Sequence, residues 1–400
     1  MTVETIEPSV TNSNAWLRVI RSKVVALLAT AILGGATASA EPTILQTDVF
    51  VAGESSVHTY RIPAIVTSVK GTLLAFAEAR KQSSGDQTPT DLVLKRSLDN
   101  GKSWQPMQVV VKGKDQEAIM NPTPVIDRTN GAILLLCNLF PDIFTQYKPG
   151  AGRQLVLRST DDGITWSSPL DITEQISDPK YWASLCVGPG VGIQTSGGRL
   201  LVPSWHFEAG LDGTFVDNLI YSDDGGYTWE KTPLVPGFGD ESQVVELSDG
   251  SLMLNIRATG GGGCETHHRR KVAISSDGGR SWSKVYLDEA LITPCCQGSI
   301  LRYTRKSDGY TKNRLLFSNP AHTSQRLNMT VRLSYDEGRS WPLARTIHAG
   351  PSAYSCLTVL DDDTLGVIYE TGKSLYGKIR FARFNLEWLS HGKDRLVKAD

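Results

Sequence analysis

The sequence predicts an all-β fold, a six-bladed β-propeller, from three observations. Short apolar runs typical of strands recur along the chain, and no long amphipathic helix pattern follows Glu41. Between the runs, the pattern Ser-x-Asp-x-Gly-x-x-Trp occurs five times, at residues 97–104, 159–166, 222–229, 275–282 and 334–341. Copies that begin about 53 to 63 residues apart indicate repeated units, each supplying about four short antiparallel strands.

The chain after Glu41 is long enough for six such units, and five motifs are compatible with six blades because terminal blades are often atypical. The last apolar run, residues 378–384, is expected to close the ring beside strands from the N-terminus. The other expected strands are residues 71–77, 91–96, 107–111, 132–137, 154–158, 199–203, 218–221, 251–257, 271–275 and 314–318.

Each motif falls between two expected strands, so we interpret it as the turn of a β-hairpin. In such a turn the Asp accepts backbone hydrogen bonds, the Gly adopts a conformation that a side chain would forbid, and the Trp covers the apolar side. The motifs therefore belong to the scaffold, as aspartate boxes. Their Asp-Asp-Gly runs lack the alternating ligands and closing Glu of an EF-hand, so we expect no metal there.

Composition places the chain among ordinary globular proteins. It has 400 residues, of which 40% are hydrophobic, and a formal net charge of −1, which does not favour a nucleic-acid-binding surface. Six cysteines are too few for a disulfide scaffold, although one or two bridges are possible in an exported protein. The pairing of Cys295 and Cys296 stays open, and we expect residues 264–268, a Cys-Glu-Thr-His-His run, to form a loop rather than a metal site.

The N-terminal segment, residues 1–40, is typical of a signal peptide. Basic residues precede an uncharged apolar run, residues 24–40, which ends in Ala-Ser-Ala. We expect cleavage after Ala40, which would leave residues 41–400 as one exported domain. The alternative is an uncleaved membrane anchor, because the run is just long enough to span a bilayer.

Three arginines lie where charge is unexpected. Arg61 interrupts the start of an apolar strand, Arg257 ends the apolar run 252–256, and Arg326 follows a Ser-Asn-Pro-Ala-His run. Arginines gathered near a propeller axis would provide planar, permanently charged donors suited to a carboxylate. Each of them could equally form a structural salt bridge.

Together, the Tyr-Arg-Ile-Pro element at residues 60–63 and the five repeated motifs resemble the sialidase (neuraminidase) family over residues 44–388. Residues 71–81 are most similar to lysosomal-type animal sialidases and their bacterial relatives. The resemblance implies a retaining exo-α-sialidase that removes terminal sialic acid from glycoproteins, glycolipids such as gangliosides, and oligosaccharides. It also implies that no metal or organic cofactor is needed.

The same resemblance implies roles for the charged residues. Arg61, Arg257 and Arg326 would grip the substrate carboxylate, with Arg332 as the alternative third member. Glu370 would orient Arg61, since an acidic residue after so apolar a run needs a partner if it is buried.

The implied catalytic residues are Asp86, Tyr354 and Glu241. Asp86, in a Ser-Ser-Gly-Asp loop, matches the general acid/base of the family, and Tyr354 matches the nucleophile that Glu241 activates. Arg80 matches a further arginine near the carboxylate site. A neutral tyrosine suits a substrate whose reacting carbon bears a carboxylate, because a carboxylate nucleophile would be repelled.

The expected partners are sialylated glycans as substrates, with no nucleic acid. Membrane contact is expected only through a glycolipid substrate or an uncleaved N-terminal segment, and the oligomeric state stays open. We expect a secreted or periplasmic protein, with the lysosome as the alternative. A trans-sialidase shares the same residues, whereas a non-catalytic glycan-binding propeller or a protein-interaction platform would have no need of all of them.

Overall fold

The structure is a computed structural model that describes residues 41–145, 148, 150–177, 182–208, 215–259 and 267–399. Their regular secondary structure is almost entirely β-strand, with two short α-helices, so the predicted all-β class is confirmed. The predicted signal peptide or anchor, residues 1–40, lies outside the described residues. In the part of the chain that is described, no helix is both long and apolar enough to cross a bilayer.

The elements alternate with turns from one end of the described chain to the other. The helices are α1 (Thr173–Ile176) and α2 (Leu386–Leu389). The strands are β1 (Ile44–Val51), β2 (Thr59–Thr67), β3 (Leu73–Arg80), β4 (Thr90–Ser97), β5 (Gln108–Val111), β6 (Ala118–Asp127), β7 (Ala132–Phe140), β8 (Arg153–Ser159), β9 (Leu170–Asp171), β10 (Trp182–Val187), β11 (Ile193–Gln194), β12 (Leu200–Glu208), β13 (Phe215–Ser222), β14 (Glu230–Lys231), β15 (Ser242–Glu246), β16 (Leu252–Ile256), β17 (Arg269–Ser275), β18 (Tyr286–Ile292), β19 (Ser299–Thr304), β20 (Arg314–Pro320), β21 (Leu327–Ser334), β22 (Leu343–Val359), β23 (Leu365–Thr371) and β24 (Lys378–Phe384).

Hydrogen bonding joins these strands into four sheets, in which all pairings but one are antiparallel. Their orders are β2-β3-β4-β6-β7-β8-β9 with β5 on β4, β10-β12-β13-β14 with β11 on β12, β15-β16-β17-β18, and β1-β24-β23-β22-β21-β20-β19. A parallel bridge, Thr90 with Ala118, connects β4 to β6 in the first sheet. Ile44 of β1 pairs with Phe384 of β24, which confirms that the final run lies beside the N-terminal strand.

Strands that follow one another in the chain and are hydrogen-bonded to each other form groups. One strand of each group contacts one strand of the next group, and these contacts close a circuit. β2 contacts β6, β6 contacts β11 and β12, β12 contacts β15, β15 contacts β19, β19 contacts β22, and β22 returns to β2. The hydrophobic core lies between the groups, where for example the rings of Phe76 and Trp166 meet edge to face at 5.8 Å. β2, near the start of the described chain, and β22, near its end, are therefore neighbours.

Each repeated motif forms the turn between two antiparallel strands, namely β4–β5, β8–β9, β13–β14, β17–β18 and β21–β22. In the second copy, Ser159 Oγ donates to Asp161 Oδ1 at 2.8 Å and accepts from the Gly163 amide at 2.9 Å. Asp161 also accepts from the Thr165 hydroxyl at 2.6 Å and amide at 2.9 Å. Hydrogen bonds from Thr165, followed by that from Ser159, lower the pKa of Asp161 to about 2.

The motif glycines also contact the preceding group of strands. Gly163 has φ +78°, and a Cβ placed there would lie 2.3 Å from Leu74 Cδ2 of β3. A side chain is therefore excluded both by the left-handed backbone and by the neighbouring strand. A Cβ placed on the other four motif glycines would lie 2.1 to 3.0 Å from a side chain of a neighbouring group, in the pairs Gly101 with Phe381, Gly226 with Leu134, Gly279 with Thr232, and Gly338 with Met253.

Gly163→Ala is expected to destabilise the fold more than Gly278→Ala does. Gly278 has φ +74°, yet no atom of the described residues lies within 4 Å of the position that its Cβ would occupy. Its substitution therefore costs only the backbone strain, about 1 kcal/mol. Gly163→Ala adds a clash with Leu74, which we expect to cost about 1–3 kcal/mol more. Denaturant unfolding of both variants measures the difference, and equal losses of stability would contradict the packing role of the motif glycine.

Candidate active site

Two β-bulges shape the strands that carry the candidate site. The β2–β3 register shifts directly after Arg61, where Ile62 adopts a left-handed φ of 55°. The β22–β23 register shifts after Ser352, in the segment that contains Tyr354. A bulge inserts an extra residue into a ladder and so changes the direction of a side chain. Both Arg61 and Tyr354 thereby leave the regular alternation of their strands.

Tyr354 lies at the centre of the site and is only 6% exposed. Its hydroxyl donates to Glu241 Oε1 at 2.5 Å and accepts from Arg257 Nη1 at 3.0 Å. The guanidinium carbons of Arg61 and Arg326 each lie 5.5 Å from the centroid of its ring. The structure therefore brings together five of the residues that the sequence singled out.

The surroundings of Tyr354 and Glu241 favour the protonated form of the phenol and of the carboxyl group. Burial raises the pKa of Tyr354 well above its ordinary value, and the adjacent Glu241 raises it further. Burial also raises the pKa of Glu241, while the charge of Arg257 opposes that rise. The short hydrogen bond thus joins a phenol that holds its proton to a carboxylate that has become a stronger base, which is the arrangement needed for proton transfer between them.

Arg257 is held by two neighbouring carboxylates. Its Nη1 donates to Glu241 Oε2 at 2.6 Å, and its Nε lies 3.4 Å from Asp240 Oδ2. Asp240 also accepts from the Thr259 hydroxyl at 2.8 Å and from the Glu241 amide at 2.7 Å. Sequence reasoning did not assign a role to Asp240, although its position beside Glu241 was a usable signal.

Glu370 is fully buried and accepts three hydrogen bonds. Its Oε1 receives Arg61 Nε at 2.7 Å and the Ile62 amide at 2.9 Å, and its Oε2 receives the Tyr354 amide at 3.1 Å. Glu370 therefore fixes the guanidinium of Arg61 together with the two bulged segments. This contact is the one expected of a residue that orients Arg61.

The Asp86 loop, residues 81–89, is connected to the arginines through Arg80. Arg80 Nη1 lies 2.9 Å from Asp86 Oδ1 and donates to the Ser84 carbonyl at 2.6 Å. The same carbonyl accepts from Arg61 Nη1 at 3.4 Å. The Asp86 side chain is 51% exposed, so it is accessible to a ligand while still attached to the site.

A buried ion pair that sequence reasoning missed supports Arg80. Its Nε and Nη2 donate to Glu78 Oε2 at 2.8 and 2.6 Å, and neither side chain is exposed. Glu78 Oε1 accepts from the Asn121 amide at 2.8 Å, and burial raises the pKa of Glu78. The signal was present, because Glu78 and Arg80 are two residues apart in an apolar strand and so share one face.

Arg326, rather than Arg332, contacts the Tyr354 ring. Arg332 instead donates from Nη1 to Asn319 Oδ1 at 3.0 Å, and burial lowers its pKa to about 10. Arg326 donates from Nη1 to the hydroxyl of Tyr376 at 2.9 Å. No motif or pattern in the sequence pointed to Tyr376.

The adjacent cysteines have different states. Cys295 is disulfide-bonded, whereas Cys296 is a buried thiol that packs with Tyr354. Of the Cys-Glu-Thr-His-His run, which we expect to be a loop rather than a metal site, residues 264–266 lie outside the described residues.

Comparison with known proteins identifies the family. A model of the BNR repeat-like domain matches residues 57–368. A sialidase from Micromonospora viridifaciens is 34% identical over 371 residues, covering 87% of this chain and 55% of that protein. An exo-alpha-sialidase from Aspergillus fumigatus is 33% identical over 373 residues, covering 84% of this chain and 86% of that protein. The chain belongs to the sialidase family.

A solved sialidase structure agrees with this membership. A Hadza microbial sialidase superposes with a TM-score of 0.78 at 30% identity, covering 86% of this chain and 69% of that chain. The resemblance to sialidases deduced from the sequence is thus confirmed. The chain spans about half of the length of its Micromonospora relative, so the relative contains further sequence that has no counterpart here.

Glu370→Gln is expected to lower the free energy of unfolding by about 3 kcal/mol or more, because it leaves the buried guanidinium of Arg61 without its charge partner. Glu230→Gln is the matched control, since Glu230 accepts a hydrogen bond from Tyr221 at an exposed position. Its loss should cost less than about 1 kcal/mol. Denaturant unfolding distinguishes them, and a Glu370 variant as stable as the control would contradict the anchoring role.

Proposed function

We propose that the chain is a retaining exo-α-sialidase that hydrolyses terminal sialic acid through a covalent tyrosyl intermediate. The observation that carries the proposal is the Tyr354 hydroxyl, hydrogen-bonded to both Glu241 and Arg257 with two further arginines beside its ring. A buried tyrosine needs one partner for its hydroxyl. A carboxylate, a guanidinium and two more cations around one phenol are better explained by chemistry on an anionic substrate.

The substrate carboxylate is bound by the three arginines in this proposal. Arg61 and Arg257 are already paired with carboxylates, whereas Arg326 forms no ion pair with any residue that the structure describes. Arg326 therefore offers a ligand anion a guanidinium group that no described carboxylate contacts. Planar guanidinium groups suit a carboxylate because they donate two parallel hydrogen bonds.

The first chemical step forms the bond between Tyr354 Oη and the anomeric carbon while the glycosidic bond breaks. Glu241 accepts the phenolic proton, and Asp86 gives its proton to the departing glycosidic oxygen. The neutral phenol avoids the repulsion that a carboxylate nucleophile would meet at a carbon bearing a carboxylate. The raised pKa of Tyr354 makes the proton transfer to Glu241 necessary.

The second step reverses these roles. Asp86 takes a proton from water, whose oxygen attacks the anomeric carbon as the bond to Tyr354 breaks. Glu241 returns its proton to the phenolate, and sialic acid leaves with its original anomeric configuration. Two inversions at one carbon give net retention.

The proposed scaffold is a six-bladed β-propeller with five aspartate boxes. The closed circuit of contacts through β2, β6, β12, β15, β19 and β22 supports it, because these strands would line the axis of the ring. The contact between each motif glycine and a neighbouring group of strands supports the same arrangement. The catalytic groups would then come from different blades and meet at one end of the axis.

The proposed substrates are sialylated glycoproteins, gangliosides and oligosaccharides, which would place the protein in glycan and ganglioside catabolism. We also propose export to the periplasm or cell exterior, with the lysosome as the alternative. Transfer of sialic acid to another glycan would use the same residues. Product analysis with and without an added galactoside separates transfer from hydrolysis.

Tyr354→Phe should lower the turnover of a fluorogenic α-sialoside by about a thousandfold or more, since it removes the nucleophilic oxygen. Tyr335→Phe is the control, because its hydroxyl binds Asp394 at 2.8 Å outside the site.

The wild-type protein should release the α-anomer first, as followed by proton NMR. Full activity of the Tyr354 variant would contradict the assigned nucleophile, and first release of the β-anomer would contradict retention. A wild-type protein that binds the sialoside without turnover would be a non-catalytic lectin.

On the acidic side of its pH profile, kcat/KM is expected to fall as Glu241 becomes protonated, because Glu241 must be ionised to accept the phenolic proton. This fall is the acidic limb of the profile. Its pKa is raised by burial first and further by the negative charge of Asp240. Activity is therefore lost as the pH falls through this raised pKa. Asp240→Asn should move the limb to lower pH, whereas Asp288→Asn, which alters a carboxyl hydrogen-bonded to Trp341, should not move it. A limb that stays in place in the Asp240 variant would contradict this assignment.

A further inference from the structure

One hairpin approaches Arg61 from two directions. Glu370, in β23, accepts a hydrogen bond from Arg61 Nε at 2.7 Å. Tyr376, in the turn between β23 and β24, lies on the face of the same group, with its ring centroid 3.8 Å from the guanidinium carbon. An aromatic face at this distance attracts a cation and restricts its rotation. The same hairpin thus holds Arg61 by a charged hydrogen bond and by a contact with an aromatic ring.

The same tyrosine is the hydrogen-bond partner of Arg326. Arg326 Nη1 donates to the Tyr376 hydroxyl at 2.9 Å, and no ion pair joins Arg326 to the described part of the chain. Arg61 and Arg257, by contrast, are each fixed by a carboxylate. A long arginine side chain without such a partner would otherwise lose considerable conformational freedom on binding a ligand.

The turn that carries Tyr376 is tightly constrained. Gly372 has φ +147°, and a Cβ there would lie 2.7 Å from the Ser374 carbonyl oxygen. The Gly377 carbonyl accepts from the Ala52 amide at 3.0 Å, which attaches the turn to the segment after β1. Tyr376 also packs against the buried cluster that contains Tyr354. These contacts fix the position of the Tyr376 ring before any ligand arrives.

We propose that Tyr376 is a positioning residue that sets Arg61 and Arg326 as one carboxylate-binding unit and so determines the preference for an acid over its uncharged ester. The inference rests on the proposed function, because it assumes that the arginines bind the sialic acid carboxylate. Tyr376 acts on one arginine through its ring and on the other through its hydroxyl. The two contacts can therefore be removed separately.

The test compares Tyr376→Phe and Tyr376→Leu in the full-length protein. The ligands are the 2,3-dehydro derivative of N-acetylneuraminic acid and its methyl ester, with affinities measured by calorimetry. Tyr376→Phe removes a hydrogen bond to a charged group and should weaken binding of the acid about tenfold, with little effect on the ester. Tyr376→Leu also removes the stacking on Arg61 and should weaken binding of the acid further.

In turnover of the α-sialoside by either variant, KM should rise with a smaller change in kcat, because the carboxylate is bound in both the ground and transition states.

Tyr221→Phe is a closely matched control. The guanidinium carbon of Arg199 lies 4.1 Å from the Tyr221 ring centroid, and the Tyr221 hydroxyl binds Glu230 at 2.7 Å, in a strand that contributes nothing to the site. This variant should leave both affinities unchanged. Equal weakening of acid and ester by Tyr376→Phe, or no weakening of either, overturns the positioning role while the proposed function stands. A wild-type protein that neither binds the acid nor cleaves the sialoside overturns both proposals.

Discussion

The buried carboxylate of Glu370 is the contact on which the rest of the site depends. It accepts hydrogen bonds from Arg61, from the Ile62 amide and from the Tyr354 amide, so it joins a strand near the start of the described chain to two near its end. An ionised group in so dry a place is tolerated only when donors engage its lone pairs. The two bulged segments supply these donors, since Arg61 and Ile62 lie at the β2 bulge and Tyr354 lies at the β22 bulge.

The three arginines have different partners. Arg61 and Arg257 each have a carboxylate partner, whereas Arg326 has the neutral hydroxyl of Tyr376. These partners hold three cations close to one another and leave the guanidinium group of Arg326 without a carboxylate partner among the described residues. Asp86 is attached to this cluster through Arg80, and its side chain is half exposed, as the proposed role of acid and base requires.

The scaffold makes this convergence possible through its repeated turns. Each motif glycine lies against a neighbouring group of strands, so the turns connect adjacent groups as well as the two strands of a hairpin. The residues at the opposite ends of the strands, such as Arg61 and Tyr354, are then held in fixed relation although they are far apart in sequence. The repeated residues thus stabilise the scaffold, and the unrepeated ones form the candidate site.

The sequence alone determined the all-β class, the hairpin turns and the family, because strand periodicity, turn chemistry and the Tyr-Arg-Ile-Pro element are local features. The resemblance to the family also selected the arginines, Asp86, Glu241 and Tyr354. The resemblance preferred Arg326 to Arg332, and the tertiary structure places Arg326 beside the Tyr354 ring and Arg332 on Asn319. Only the tertiary structure brought in Tyr376, because an ordinary tyrosine in a glycine-rich turn carries no local signal. Its importance comes from the two guanidinium groups that long-range packing places on its ring and hydroxyl.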